Sequence, residues 1–216
     1  IYVGDAPSAV AANRERLTKE LGARVVILKQ VHGDTILELD TGCDVSDGEN
    51  GFVLLGEGDG MVSNQKNVYL AIQTADCAPV MVYDPASLAI AALHAGRKGA
   101  ELNILTKCIE LMGQKYGSNP SNLKIFIGSC IGGESYELPK EMAAGFEIYE
   151  NAVSKLDDSY FLDIKTVLLS QAKTAGVESK NIEINSDCSA QNNDKYFSYR
   201  AEDGKCGRMI TAIGVL

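Results

Sequence analysis

The sequence predicts an α/β (α+β) fold: a single domain with mixed β-sheets and helices packed outside them. Short apolar, strand-like runs alternate along the chain with stretches of helical period. Of the 216 residues, 45% are hydrophobic, enough for one sizeable core in a chain of that length. No low-complexity tract or linker divides the chain, so residues 1–216 read as one domain.

The elements follow in order. Asp5-Ala6-Pro7-Ser8 offers capping residues and a proline suited to a first helical turn, and the stretch through Leu17 and Leu21 reads as a helix that Gly22 ends. Arg24-Val25-Val26-Ile27-Leu28-Lys29 and the alternating Thr35-Ile36-Leu37-Glu38-Leu39 read as strands, with a turn at Val31-His32-Gly33-Asp34 between them. Gly42 to Gly60 is rich in Gly, Asp and Glu and reads as a surface loop or hairpin. Val68 to Gln73 is a strand, Thr74-Ala75-Asp76-Cys77-Ala78 a connection, and Pro79 to Tyr83 an apolar run closed by the turn Asp84-Pro85. Leu88 to Leu93 is a buried strand that stops at His94. One helix is expected from about Gly99 to Tyr116, on Leu102, Leu105, Ile109 and Met112, with Gly117 as its stop. There follow a strand at Leu123 to Ile127, a Gly/Cys-rich turn, and two helical patterns ending near Glu150 and Ala175. Strands at Ile182-Glu183-Ile184 and Met209 to Val215 complete the series.

Charge and composition exclude several functions. The chain has 20 Lys+Arg against 29 Asp+Glu and a net charge of -9, with a pI near 4.8, the reverse of the basic footprint that nucleic acid or an anionic membrane requires. It has no run of about 18 apolar residues for a transmembrane helix, and no signal peptide opens it. Six cysteines are widely spaced without a CxxC pair, which fits a reduced, cytoplasmic protein better than a disulfide framework.

The scarce residues mark the chemistry. Both histidines end apolar strands beside small residues, in Val31-His32-Gly33 and Leu93-His94-Ala95-Gly96, and Cys77 likewise follows a buried strand. Two imidazoles and one thiolate make a three-ligand zinc site with an open fourth position. The same residues also suit a nucleophile pair, with Cys77 as thiolate, His94 or His32 as base and Asp76 or Asp34 as orienter. Spacing leaves both schemes open, beside the plainer one of hydrogen-bonded histidines and a buried thiol. Ile127-Gly128-Ser129-Cys130-Ile131-Gly132-Gly133 presents several backbone N–H groups without bulky side chains, a ligand nest that brings Cys130 among the substrate-binding candidates. Tyr196-Phe197-Ser198-Tyr199-Arg200 and Gly207-Arg208 set aromatics beside arginines, a pairing that suits stacking on a purine and holding a phosphate or carboxylate and equally suits an ordinary strand with a solvated arginine.

Gln30-Val31-His32-Gly33, Asp59-Gly60, Thr74-Ala75-Asp76-Cys77, His94-Ala95-Gly96, Gly128-Ser129-Cys130-Ile131-Gly132, Tyr136-Glu137, Phe197-Ser198-Tyr199-Arg200 and Gly207-Arg208 resemble, in order, the motifs of the multicopper polyphenol oxidase (laccase) family. Its members are also described as purine nucleoside phosphorylases and, in a bacterial branch, peptidoglycan editing factors. The resemblance covers essentially the whole chain. It implies a four-layer αββα sandwich with an internal duplication, and zinc held by His32, Cys77 and His94. It further implies phosphorolysis of adenosine, inosine and methylthioadenosine, with adenosine deamination beside it, so that the partners are a small-molecule nucleoside and phosphate. Cys77, His94 and Asp76 are then the catalytic candidates, Asp76 for proton transfer, and Lys98, Arg97, Cys130 and Arg200 the substrate-binding ones. Copper is disfavoured, because two histidines cannot hold several coppers. The chain departs from the family's His-Ala-Gly-Trp-Arg-Gly at His94-Ala95-Gly96-Arg97-Lys98-Gly99, where a lysine lacks the bidentate fork of an arginine. It begins at Ile1 and is expected to lack an N-terminal segment. A metal-free cysteine hydrolase or amidase acting on peptidoglycan precursors, and a non-catalytic zinc-binding protein, are the alternatives.

Overall fold

The computed structural model describes residues 4–40, 42–43 and 48–216. Its elements are α1 (Pro7–Leu21), β1 (Arg24–Lys29), β2 (Ile36–Glu38), β3 (Phe52–Glu57), β4 (Gly60–Ser63), β5 (Val68–Thr74), β6 (Ala78–Tyr83), β7 (Ile90–Ala95), α2 (Arg97–Glu101), α3 (Ile104–Tyr116), β8 (Lys124–Ile127), β9 (Glu137–Leu138), α4 (Lys140–Ala144), β10 (Val153–Leu156), β11 (Ser159–Leu162), α5 (Ile164–Thr174), β12 (Ile182–Ile184) and β13 (Met209–Val215).

Two mixed sheets form the centre. One has the order β13-β5-β1-β3, with β1 parallel to both β3 and β5 and β13 antiparallel to β5. The other has the order β12-β8-β6-β7-β4-β2. Side-chain alternation sorts each strand between two cores. On β1, Val26 and Leu28 join Leu70, Ile72, Met61, Met81 and Ile90 between the sheets. Val25 and Ile27 point the other way, to Leu17 and Leu21 of α1. On the far side of the second sheet, Val80, Val82, Ala91 and Leu93 pack against Leu105, Ile109 and Met112 of α3 and Val167 and Leu168 of α5. The layers therefore run helix, sheet, sheet, helix, as the resemblance implies and in agreement with the interleaved α/β pattern. Strands covered on both faces read as continuous apolar runs, which is why β1, β6 and β7 stood out in the sequence.

Several elements differ from the sequence expectation. Gly22 ends α1 at φ 66°, but Asp5 accepts only the neighbouring Ala6 N–H and caps nothing in the helix. β1 and β2 lie in different sheets, so Val31 to Asp34 is a crossover and not a hairpin turn. The expected loop from Gly42 to Gly60 contains β3, while residues 44–47 lie outside the described residues. The single helix to Tyr116 is two, because Asn103 takes a left-handed conformation (φ 58°) between α2 and α3. The helical pattern ending near Glu150 is only the short α4, and a small sheet of order β10-β11-β9 flanks it. Among the described residues no helix is long and apolar enough to cross a membrane.

Candidate metal centre and substrate cavity

Three connections meet at one point. The crossover after β1 carries His32, the β5–β6 connection carries Cys77, and β7 carries His94 near its end. One ligand atom from each lies within 4.8 Å of the others. The two imidazoles stand edge to face, with ring centroids 4.8 Å apart. His94 is 3% exposed, whereas His32 faces solvent. Both His32 (φ 60°) and Asp76 (φ 83°) sit in the left-handed region, a local strain that turns the chain sharply where the ligands are presented. Gly96 leaves the room they need, since a Cβ there would stand 2.7 Å from Cys77 Sγ.

Asp59 organises this arrangement from beneath. Fully buried, it accepts hydrogen bonds from the backbone N–H groups of Val31 (3.2 Å), His32 (2.9 Å) and Gly33 (2.6 Å), and pairs with His94 Nδ1 at 2.7 Å. That pairing leaves Nε2 of His94 for a metal, the carboxylate–histidine support common behind metal ligands. Burial raises the Asp59 carboxyl, but the bonds from His94, Gly33 and Val31 outweigh it and hold the group below its usual range. For His94, burial acts to lower the imidazole, yet Asp59 and Cys77 prevail and bring it up to about 9. Burial likewise acts to raise the Cys77 thiol, and hydrogen bonds to His32 and His94 bring it down to about 7. The pocket thus favours the thiolate that both a metal site and a nucleophile require.

The three residues open into a cavity of about 700 Å³ that Asp76, Arg97, Lys98 and Arg200 also line. Asp76 has both oxygens engaged, accepting from the Ser189 hydroxyl at 2.6 Å and the Arg200 N–H at 2.7 Å. Arg200 lies 5.4 Å above the Tyr136 ring and donates to the carbonyls of Ser135 (3.2 Å) and Glu137 (3.3 Å). Arg97 pairs with Glu101 at 2.9 Å, while Lys98 is exposed and makes no ion pair among the described residues. Cys130 does not line the cavity. It is fully buried, its thiol pushed up to about 12 by that burial, and the following Ile131 reaches the wall instead. Sequence reasoning quoted Asp59 only within a motif and Gln73 only within a strand, and gave neither a role in the site. The signal for Asp59 was a strand-end histidine whose second ring nitrogen needs a partner.

Across residues 1–216 the chain matches the family described as multi-copper polyphenol oxidoreductase laccase. It is 35% identical to a purine nucleoside phosphorylase of Corynebacterium glutamicum over 217 residues, covering 98% of this chain and 84% of that protein. Among solved structures, the hypothetical protein YfiH of Bacillus licheniformis is similar at a TM-score of 0.92 and 28% identity, over 100% of this chain and 84% of that one. YlmD from Geobacillus stearothermophilus is similar at a TM-score of 0.91 and 27% identity, over 100% and 83%.

Proposed function

Because the chain belongs to the multi-copper polyphenol oxidoreductase laccase family, we propose that it is a zinc-dependent enzyme of purine nucleosides. The name of its Corynebacterium relative supports the substrate class. The observation that carries the reading is the convergence of His32, Cys77 and His94 at a cavity lined by cations. Two nitrogens and one sulfur with an open position fit one zinc ion, and the two histidines of this sequence fit one ion better than several coppers. The support of His94 by Asp59 and the space left by Gly96 agree with that fit.

The reactions are adenosine plus phosphate giving adenine and ribose 1-phosphate, the corresponding cleavage of inosine and methylthioadenosine, and hydrolytic deamination of adenosine to inosine and ammonia. Zinc in this site supplies Lewis acidity toward a substrate oxygen or nitrogen. Lys98, whose ammonium makes no ion pair or hydrogen bond among the described residues, receives the phosphate as a point charge, with the Arg97 guanidinium beside it. Arg200, over the Tyr136 ring, lines the same cavity. Asp76 anchors the Arg200 segment to the Cys77 loop and, lining the cavity, is the candidate for proton transfer.

Chromatography of products from the zinc-replete protein with adenosine and phosphate tests the proposal. Adenine with ribose 1-phosphate is the expected result, inosine would reveal the deaminase activity, and unchanged adenosine would overturn the reading. Cys77→Ala is expected to abolish both zinc retention and turnover. The thiol brought to about 7 beside two histidines favours a second reading, a cysteine amidase acting on peptidoglycan precursors. That enzyme would be inactivated by iodoacetamide and indifferent to chelators, whereas a zinc enzyme loses activity to the chelator.

A further inference from the structure

Most polar groups around the cavity already have partners. Gln30 uses both amide atoms on the backbone of Gln73, accepting its N–H at 2.9 Å and donating to its carbonyl at 2.8 Å. The Asp76 oxygens, the Arg97 and Arg200 guanidiniums and one nitrogen of Arg208 are likewise committed. Lys98 has no side-chain partner among the described residues, but an ammonium only donates and suits an anion. The Gln73 side chain also makes no hydrogen bond among the described residues, although it lines the cavity. Its main chain is clamped on one side by Gln30 and paired on the other with Ile210 of β13. A free amide on so rigid a base, half-buried at the end of a strand, is placed to read a ligand's donor–acceptor pattern.

Resting on the purine-nucleoside reading above, we propose that Gln73 is the specificity-determining residue that hydrogen-bonds the edge of the purine base. An amide carries a donor and an acceptor, and it pairs bidentately with the 6-amino group and N7 of adenine. Hypoxanthine presents acceptors at both O6 and N7, which the amide meets by rotating so that its NH₂ faces them and its oxygen turns away. One uncharged side chain thereby admits 6-amino and 6-oxo purines alike.

The test compares zinc-loaded parent, Q73E and Q73L proteins in kcat/KM for adenosine and for inosine. Q73L removes both groups and is expected to lower both values by about 10–100-fold. Q73E accepts but cannot donate, so it is expected to favour adenosine over inosine by about tenfold or more relative to the parent. Melting temperature and zinc content are expected to match the parent in both variants, because the side chain makes no hydrogen bond among the described residues. An active parent whose adenosine-to-inosine ratio stays within about twofold in Q73E, with Q73L undiminished, overturns the role of Gln73 alone. Loss of zinc from both variants also overturns it, by making Gln73 a support of the metal site. A parent that neither turns over nor binds either nucleoside by calorimetry overturns the purine reading and this inference together.

Discussion

Asp59 is held from several sides at once, accepting three backbone N–H groups and pairing with one imidazole. Through the N–H groups it fixes the loop that carries His32, and through the imidazole it fixes the tautomer and aim of His94. It touches no substrate, so its effect should appear in metal affinity before anything else. Asp59→Asn keeps the size of the side chain, but its NH₂ cannot accept and must face one of the donors. Zinc affinity is expected to fall by about 10–100-fold, read by competition with a chromogenic chelator, and an unchanged affinity would refute this role. The site was partly legible for a matching reason. His32, Cys77 and His94 are rare residue types at strand ends, whereas Asp59 is one acidic residue among 29 Asp+Glu and is distinguished only by what folds over it.

At the scale of elements, α5 shows what a single polar side chain contributes. Asp163 accepts the N–H groups of Lys165 (2.9 Å) and Thr166 (3.4 Å) and the Thr166 hydroxyl (2.8 Å), closing the free end of the helix. Asp163→Ala is expected to cost about 1 kcal/mol, measured as a lower urea midpoint at unchanged slope. Elements buried on both faces or ended by glycine, such as β1 and α1, were legible from pattern. β3 was hidden because Gly51 and Gly56 bracket its apolar residues and the strand makes a register shift opposite Ile27 and Leu28. The break at Asn103 was hidden because the apolar period of α3 continues past it. The sheet of β9, β10 and β11 escaped because its strands are short and partly solvated, with Leu156 67% exposed. That β1 and β2 part into different sheets is a long-range fact that no local pattern carries.

Across the whole molecule, buried acids set the response to pH. Asp84, 1% exposed, accepts from the Ala86 N–H at 2.9 Å and the Ser87 hydroxyl at 2.7 Å. Burial acts to raise its carboxyl, and hydrogen bonds from Ser118, Ala86 and Ser87 hold it below the usual value of 3.8. Its folded value lies below its unfolded one, so its stabilisation is complete above the unfolded value and is lost as pH falls through the folded one. Asp84→Asn is expected to melt earlier than the parent at neutral pH and to lose less in melting temperature between about pH 5 and pH 2.5. An acid limb of unchanged depth would assign the loss to other carboxylates, Asp59 first among them. The pairing of β13 with β5 has a consequence for biosynthesis. A ribosome delivers His32, Cys77 and His94 well before Arg200, Arg208 and β13, so a nascent chain can bring the three candidate ligands together on its early strands. The Arg200 segment, which docks on Asp76, and β13, which pairs with β5, can close over that site only afterwards.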